Sequence, residues 1–179
     1  MMLEEKIQED LKIALKEKKE LNLSVLRMLN AVMINKEKEK RYKITRQIYS
    51  SENLAGQGKE KIEILEKDLQ EKSQLSDNEI IEIIFSEIKK KKDALLLFEK
   101  GERWDLVEKE KKELEVLEKY LPEQLSEEEL RKLIKEAIEK TGVKELKETG
   151  KVMAELMPKV KGKVEGSKIS QIIKELLSF

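Results

Sequence analysis

Apolar residues recur at three- and four-residue intervals along most of the chain, each stripe flanked by Lys and Glu, which predicts helices rather than strands. Leu3, Ile7, Leu11, Ala14 and Leu15 share one face of a first helix that ends near Lys19. A second helix, which Asn22 or Ser24 is placed to cap, carries Leu23, Leu26, Leu29, Met33 and Ile34 and fades near Lys40. Arg27, set among these residues, is expected to snorkel or pair with an acid. Residues 41–75 keep the pattern least well. YKITRQIYS mixes β-branched and aromatic residues, AGQG at 55–58 marks a loop, and Ile62, Leu65 and Leu69 restore helical spacing. The segment is expected to be an exposed helical insertion with flexible joints.

Ser76 and Glu79 then fit a capping box ahead of a long helix bearing Ile80, Ile84, Ile88, Leu95 and Phe98. Its KKKKD run at 89–93 is expected to face water, and Gly101 to end it as a left-handed residue. A further helix over 102–119 places Val107, Leu114, Leu117 and Leu121 at seam-like spacing, with Trp104 as a packing anchor. Pro122 forces Leu121 out of helical conformation, and Ser126 with Glu129 repeats the capping box. Leu130, Leu133, Ile134, Ala137 and Ile138 define the next helix, which Gly142 stops. A short helix follows from a Thr149 cap through Val152, Leu156 and Val160, with an end or kink expected at Pro158. The last helix begins at Gly166 or Ser167 and shows Ile169, Ile172, Ile173, Leu176 and Leu177 on one side. The predicted fold is all-α: an N-terminal bundle of long helices over 1–120, with 41–75 as its insertion, and a three-helix domain over 126–179.

Composition narrows the chemistry. Of 179 residues 42% are charged, yet 38 basic and 38 acidic groups cancel, which argues against a general nucleic-acid coat protein and leaves only a local patch for RNA. With no Cys and no His, disulfides, thiol nucleophiles, Cys/His zinc sites and histidine bases are excluded. No catalytic residue and no metal ligand is singled out, no nucleotide-binding motif occurs, and no cofactor is expected. No apolar run is long enough to span a membrane, and the acidic amphipathic start MMLEEKIQED is unlike a signal peptide, so a cytoplasmic protein is the expectation.

One stretch departs from the Lys/Glu helical background. GKVMAELMPKVKGKVEGSK at 150–168 gathers Gly150, Pro158, Gly162 and Gly166 with Lys151, Lys159, Lys161, Lys163 and Lys168. Lysines neutralise phosphates, and backbone N–H groups beside Gly162 and Gly166 add donors. A helix N-terminus near Ser167 adds positive potential. The candidate nucleic-acid-binding residues are Lys151, Lys159, Lys161, Gly162, Lys163, Gly166 and Lys168. The plainer alternative is a soluble turn between two helices.

LSVLRMLNAVMINKE at 23–37, GERWDLVEKEKKELEVLEKYLPEQLSEEEL at 101–130 and GKVMAELMPKVKGKVEGSKISQIIKELL at 150–177 together resemble the GatB/YqeY family. The chain departs from that family's pattern at Ala154, where Gly is commoner, and at Glu165, where Asp is commoner. The resemblance implies two helical domains. The second is similar to the tail domain of the B subunit of the aspartyl/glutamyl-tRNA amidotransferase, which helps to hold the tRNA body. It thus implies tRNA as a ligand and a tRNA-related enzyme such as the amidotransferase as a partner. Nothing in the chain resembles that enzyme's kinase-like domain or the Ser–Ser–Lys signature of its amidase. A carbon–nitrogen ligase label therefore attaches through the shared tail, without catalysis by this chain alone. The competing reading is a protein-docking bundle with no RNA ligand, using the Ile-rich face at 80–88 and the insertion.

Overall fold

The computed structural model describes residues 2–51, 67–143 and 145–177. It is all-helical, with no strand among the described residues, and divides into two compact units between Leu117 and Glu118.

In the first unit, α1 (Leu3–Lys16) packs on α2 (Glu20–Ser51), and both contact α3 (Asp77–Lys100); α4 (Trp104–Glu118) follows. Ile7, Leu26, Leu29, Ile80, Ile84 and Leu117 are wholly buried, each burial contributing about 1.5–3 kcal/mol. Helix α1 has no cap of its own sequence type. Its first N–H groups are instead met by Glu5, which accepts from Met2 N–H at 2.9 Å, and by Asp77 of α3, which accepts from Leu3 N–H at 2.9 Å. The capping box at α3 forms as the sequence predicts: Ser76 N–H donates to Glu79 Oε2 at 2.8 Å, and Glu79 N–H to Ser76 Oγ at 3.4 Å.

Several expectations need correction. Helix α2 does not fade near Lys40 but runs to Ser51. The stretch after Lys40 is rich in helix-forming Arg, Lys and Gln, and Thr45 Oγ1 donates back to Arg41 carbonyl at 2.8 Å, an internal bond that a helix accommodates. Lys40 also ties α2 down, donating to Glu79 and to the Gln74 carbonyl at 2.9 Å each. Residues 67–73 are helical again; the AGQG loop, Ile62 and Leu65 lie outside the described residues. Neither Asn22 nor Ser24 caps α2, because the helix already starts at Glu20. The chain enters it through Lys18 at φ 55°, with Lys19 N–H donating to Ala14 carbonyl at 3.0 Å.

The end of α3 has the same design. Gly101 has φ −87° and is not the left-handed residue; Glu102, at φ 53°, is. Glu102 N–H donates to Glu99 carbonyl (3.1 Å) and Arg103 N–H to Phe98 carbonyl (2.9 Å), the paired bonds of a Schellman motif. The left-handed position is set by where the ladder of i→i−4 bonds stops, one residue past the glycine.

The KKKKD run is not wholly solvated. Lys91 falls on the Ile84–Ile88–Leu95 stripe and is buried. Its ammonium binds Glu110 at 3.0 Å and, more closely, Glu113. Burial pulls the Lys91 pKa down, but hydrogen bonds to Glu113 and Glu110 outweigh it and hold the group above the ordinary lysine range. Trp104 is likewise no packing anchor within this unit: it is 61% exposed at the first position of α4. Arg27 is exposed.

In the second unit, α5 (Glu127–Thr141) packs on α6 (Thr149–Val160) and α7 (Gly166–Leu177), which also touch each other. Leu130, Ile134, Val152, Leu156, Val160, Ile169 and Ile173 form the centre of its core. Ser126 caps α5 through a second box, donating its N–H to Glu129 Oε2 at 2.9 Å. Gly142 ends α5 at φ 67°, its N–H donating to Ile138 carbonyl at 2.9 Å. Thr149 does not cap α6: a 3₁₀ turn, Leu146–Glu148, leads straight into it, so Thr149 is already helical. Pro158 sits inside α6, which ends two residues later at Val160.

Candidate nucleic-acid interface

The turn between α6 and α7 is built by its own backbone and by the segment that precedes α5. Lys161 N–H donates to Met157 carbonyl and Lys163 N–H to Val160 carbonyl, both at 2.9 Å, which carries the chain out of α6. Gly162 takes φ 79°, a conformation costly to any residue with a Cβ. Leu125 N–H then donates to Lys163 carbonyl at 3.2 Å. Gln124 Nε2, held at 2.7 Å by the Pro122 carbonyl, reaches the Gly162 carbonyl at 3.5 Å. The two most distinctive stretches of the sequence, YLPEQLS and MPKVKGK, therefore meet at one corner, where the first braces the second.

Lys159, Lys161, Lys163 and Lys168 are all exposed around this turn, and Lys151 is exposed at the far end of α6. Lys151 is set apart from the other four by the length of that helix. Acids answer several of these cations. Lys151 pairs with Glu148 at 2.5 Å, Lys159 with Glu155 at 4.0 Å, and Lys168 with Glu127 at 3.5 Å. The Glu127 carboxyl is held below its ordinary range chiefly by its hydrogen bond to Arg131, with Lys168 adding to it. The Glu155 carboxyl is lowered chiefly by Lys140. Lys163 lies near Glu129, whose pKa is lowered mainly by Ser126. Glu148–Lys151 and Glu155–Lys159 were legible as i,i+3 and i,i+4 pairs. The Glu127–Lys168 and Gln124–Gly162 contacts join residues far apart in sequence and were not.

Gly166 opens α7, and a Cβ added there, or at Gly150, would meet nothing within 4 Å. Packing inside the unit therefore demands glycine at neither position, whereas backbone geometry demands it at Gly162. An open groove of about 850 Å³ lies along α7, lined by Arg131 of α5 and by Ser167, Ser170, Gln171, Lys174, Glu175 and Leu176. Arg131 bridges Glu127 (3.1 Å) and Glu175 (2.8 Å) across it. Among the described residues no cluster of His, Cys, Asp or Glu is placed to hold a metal ion, and no helix is long and apolar enough to cross a membrane.

All-helical among its described residues, the chain presents exposed lysines around a glycine turn of its second unit. The family follows from comparison with known sequences: residues 59–177, well over half the chain, match the family model described as Yqey-like protein, and the chain belongs to that GatB/YqeY family. The match takes in the 101–130 and 150–177 stretches and begins after 23–37. A protein of the fission yeast Schizosaccharomyces pombe, named only as uncharacterized, is 39% identical over 51 residues. That similarity covers 28% of this chain and 42% of the yeast protein.

Proposed function

We propose that the protein is a tRNA-binding accessory module, working beside a tRNA-handling enzyme such as an amide-forming amidotransferase and contributing no catalytic domain of its own. The observation that carries this reading is the α6–α7 turn, where Lys159, Lys161, Lys163 and Lys168 are exposed around a left-handed Gly162. The ion pairs there do not oppose it. Pairs between exposed side chains are worth about 0–1 kcal/mol, so a phosphate displaces a carboxylate at little cost. Gly166, free of any packing need for its missing side chain, lets a sugar-phosphate backbone approach the start of α7. Lys151, at the far end of α6, adds one further exposed cation.

Four phosphate contacts give a log–log salt slope of about −3, a modest affinity suited to a module that acts with a partner. The double variant Lys161→Glu/Lys163→Glu tests the assignment. Both side chains are exposed, so far-UV circular dichroism is expected to stay the same while tRNA retention at low salt falls at least tenfold. Unchanged retention would remove these residues from the site.

A further inference from the structure

In a chain whose 38 basic and 38 acidic groups cancel, the stretch KRYKITRQ at 40–47 of α2 carries Lys40, Arg41, Lys43 and Arg46 and no acid. The inward side of α2 is fixed by buried Leu26, Leu29 and Met33. Farther along it is fixed by Lys40, which reaches Glu79 of α3 and the Gln74 carbonyl at 2.9 Å each. At about 100° per residue, Lys38, Tyr42 and Arg46 fall on the opposite side. They stand one turn apart, about 6 Å from each to the next along the axis. All three are exposed, Tyr42 at 68%, as are its chain neighbours Arg41 and Lys43. Among the described residues no ion pair engages Lys38, Arg41, Lys43 or Arg46. The nearby acids are occupied or turned away. Glu39, beside the stripe, pairs with Lys36 at 3.0 Å. Glu37 acts on α1, where burial first and then the charge of Glu37 raise the pKa of Glu4.

We infer that this face of α2 binds a single-stranded stretch of nucleic acid, with phosphates on Lys38, Arg41 and Arg46 and a base stacked on Tyr42. Cations that track a backbone, interleaved with an exposed ring, are the anatomy of single-strand binding. A duplex keeps its bases stacked and leaves the ring unused. An acidic segment of a partner protein fits less well. Ile34, the other large apolar residue exposed on α2 among the described residues, lies two turns from Tyr42, so no apolar cluster anchors a partner there. An anionic membrane surface fits no better, since the apolar side of α2 lies in the core. This face belongs to the first unit and does not depend on the α6–α7 turn.

The full-length protein is titrated, by fluorescence anisotropy, with a short fluorescein-labelled oligouridylate and with duplex RNA of like length. The expected result is preference for the single strand, with a log–log salt slope of about −2 from three phosphate contacts. Arg41→Glu/Arg46→Glu should weaken that binding at least tenfold, and Tyr42→Ala at least fivefold with the slope unchanged. Tyr42→Phe, which keeps the ring, should bind like the parent. Lys161→Glu/Lys163→Glu, in the other unit, should change oligouridylate binding by less than threefold. These side chains are exposed, so circular dichroism should be the same for every variant. The inference is overturned by absent binding, by preference for the duplex, or by equal losses in Tyr42→Ala and Tyr42→Phe. A larger loss in Lys161→Glu/Lys163→Glu than in Arg41→Glu/Arg46→Glu also overturns it. Tighter binding to polyglutamate or to phosphatidylserine vesicles than to oligouridylate overturns it in favour of a protein or a membrane surface.

Discussion

Replacing Glu79 by Gln isolates one carboxylate on which a helix start and an interhelix tie both depend. Glu79 accepts from Ser76 N–H and Ser76 Oγ at 2.8 Å and from Lys40 Nζ at 2.9 and 3.0 Å. The Ser76 backbone bond first, and Lys40 next, bring its pKa down to about 2 from 4.5. Without solvent screening a shift of that size corresponds to about 3 kcal/mol. The Glu79 side chain is 37% exposed, so solvent screening reduces that to about 1–1.5 kcal/mol, in line with the loss of a cap and a half-exposed ion pair. Because the folded pKa lies below the unfolded one, this stabilisation is complete above about pH 4.5 and is lost as the pH falls through about 2. Gln still reaches back to the Ser76 N–H but carries no charge for Lys40. Urea unfolding followed by circular dichroism is expected to show Glu79→Gln about 1 kcal/mol less stable at pH 7, with the gap more than halved at pH 3. A gap of equal size at both pH values, or none at pH 7, would refute the electrostatic account of this cap.

Other substitutions probe the rest of the frame. Lys18→Gly and Glu102→Gly each relieve a left-handed non-glycine residue and should raise stability by about 0.5–1 kcal/mol in urea melts. Lys91→Leu strands the carboxylates of Glu110 and Glu113 and should cost about 2–3 kcal/mol; adding Glu110→Gln and Glu113→Leu should recover most of it. Gly162→Ala should lower the stability of the second unit by about 1 kcal/mol through its positive φ. Gly166→Val, in open space, should leave the melt within about 0.5 kcal/mol and weaken tRNA binding if the phosphate backbone passes there.

What the sequence disclosed follows from how local each device is. Ser76–Glu79 and Ser126–Glu129 are written within four residues, and the core of the second unit follows the i, i+3, i+4 spacing of its helices, so both were legible. The left-handed positions were misjudged by one residue at Gly101 and missed at Lys18, because the stop of a hydrogen-bond ladder is not encoded by residue type alone. Lys91 carried a legible signal, since it continues the Ile84–Ile88–Leu95 stripe, but its charge suggested solvent. The partners that make burial tolerable, Glu110 and Glu113, come from another helix. Trp104 looked like a core residue by type, yet the first position of a helix beyond a tight turn has no flanking turn to cover it. At the candidate site the residue types were visible in sequence. The brace from Gln124 and Leu125, and the Glu127–Lys168 pair, depend on tertiary approach and were not.

Binding of tRNA at the α6–α7 turn is put to the test by titrating the purified protein with total tRNA, and with duplex DNA as control, across a range of salt concentrations. The expected result is preference for tRNA, a log–log slope of about −3 and a shallower slope for Lys161→Glu/Lys163→Glu. Absent binding, or equal affinity for the duplex, would contradict it and leave the lysine–glycine corner as a turn between two helices.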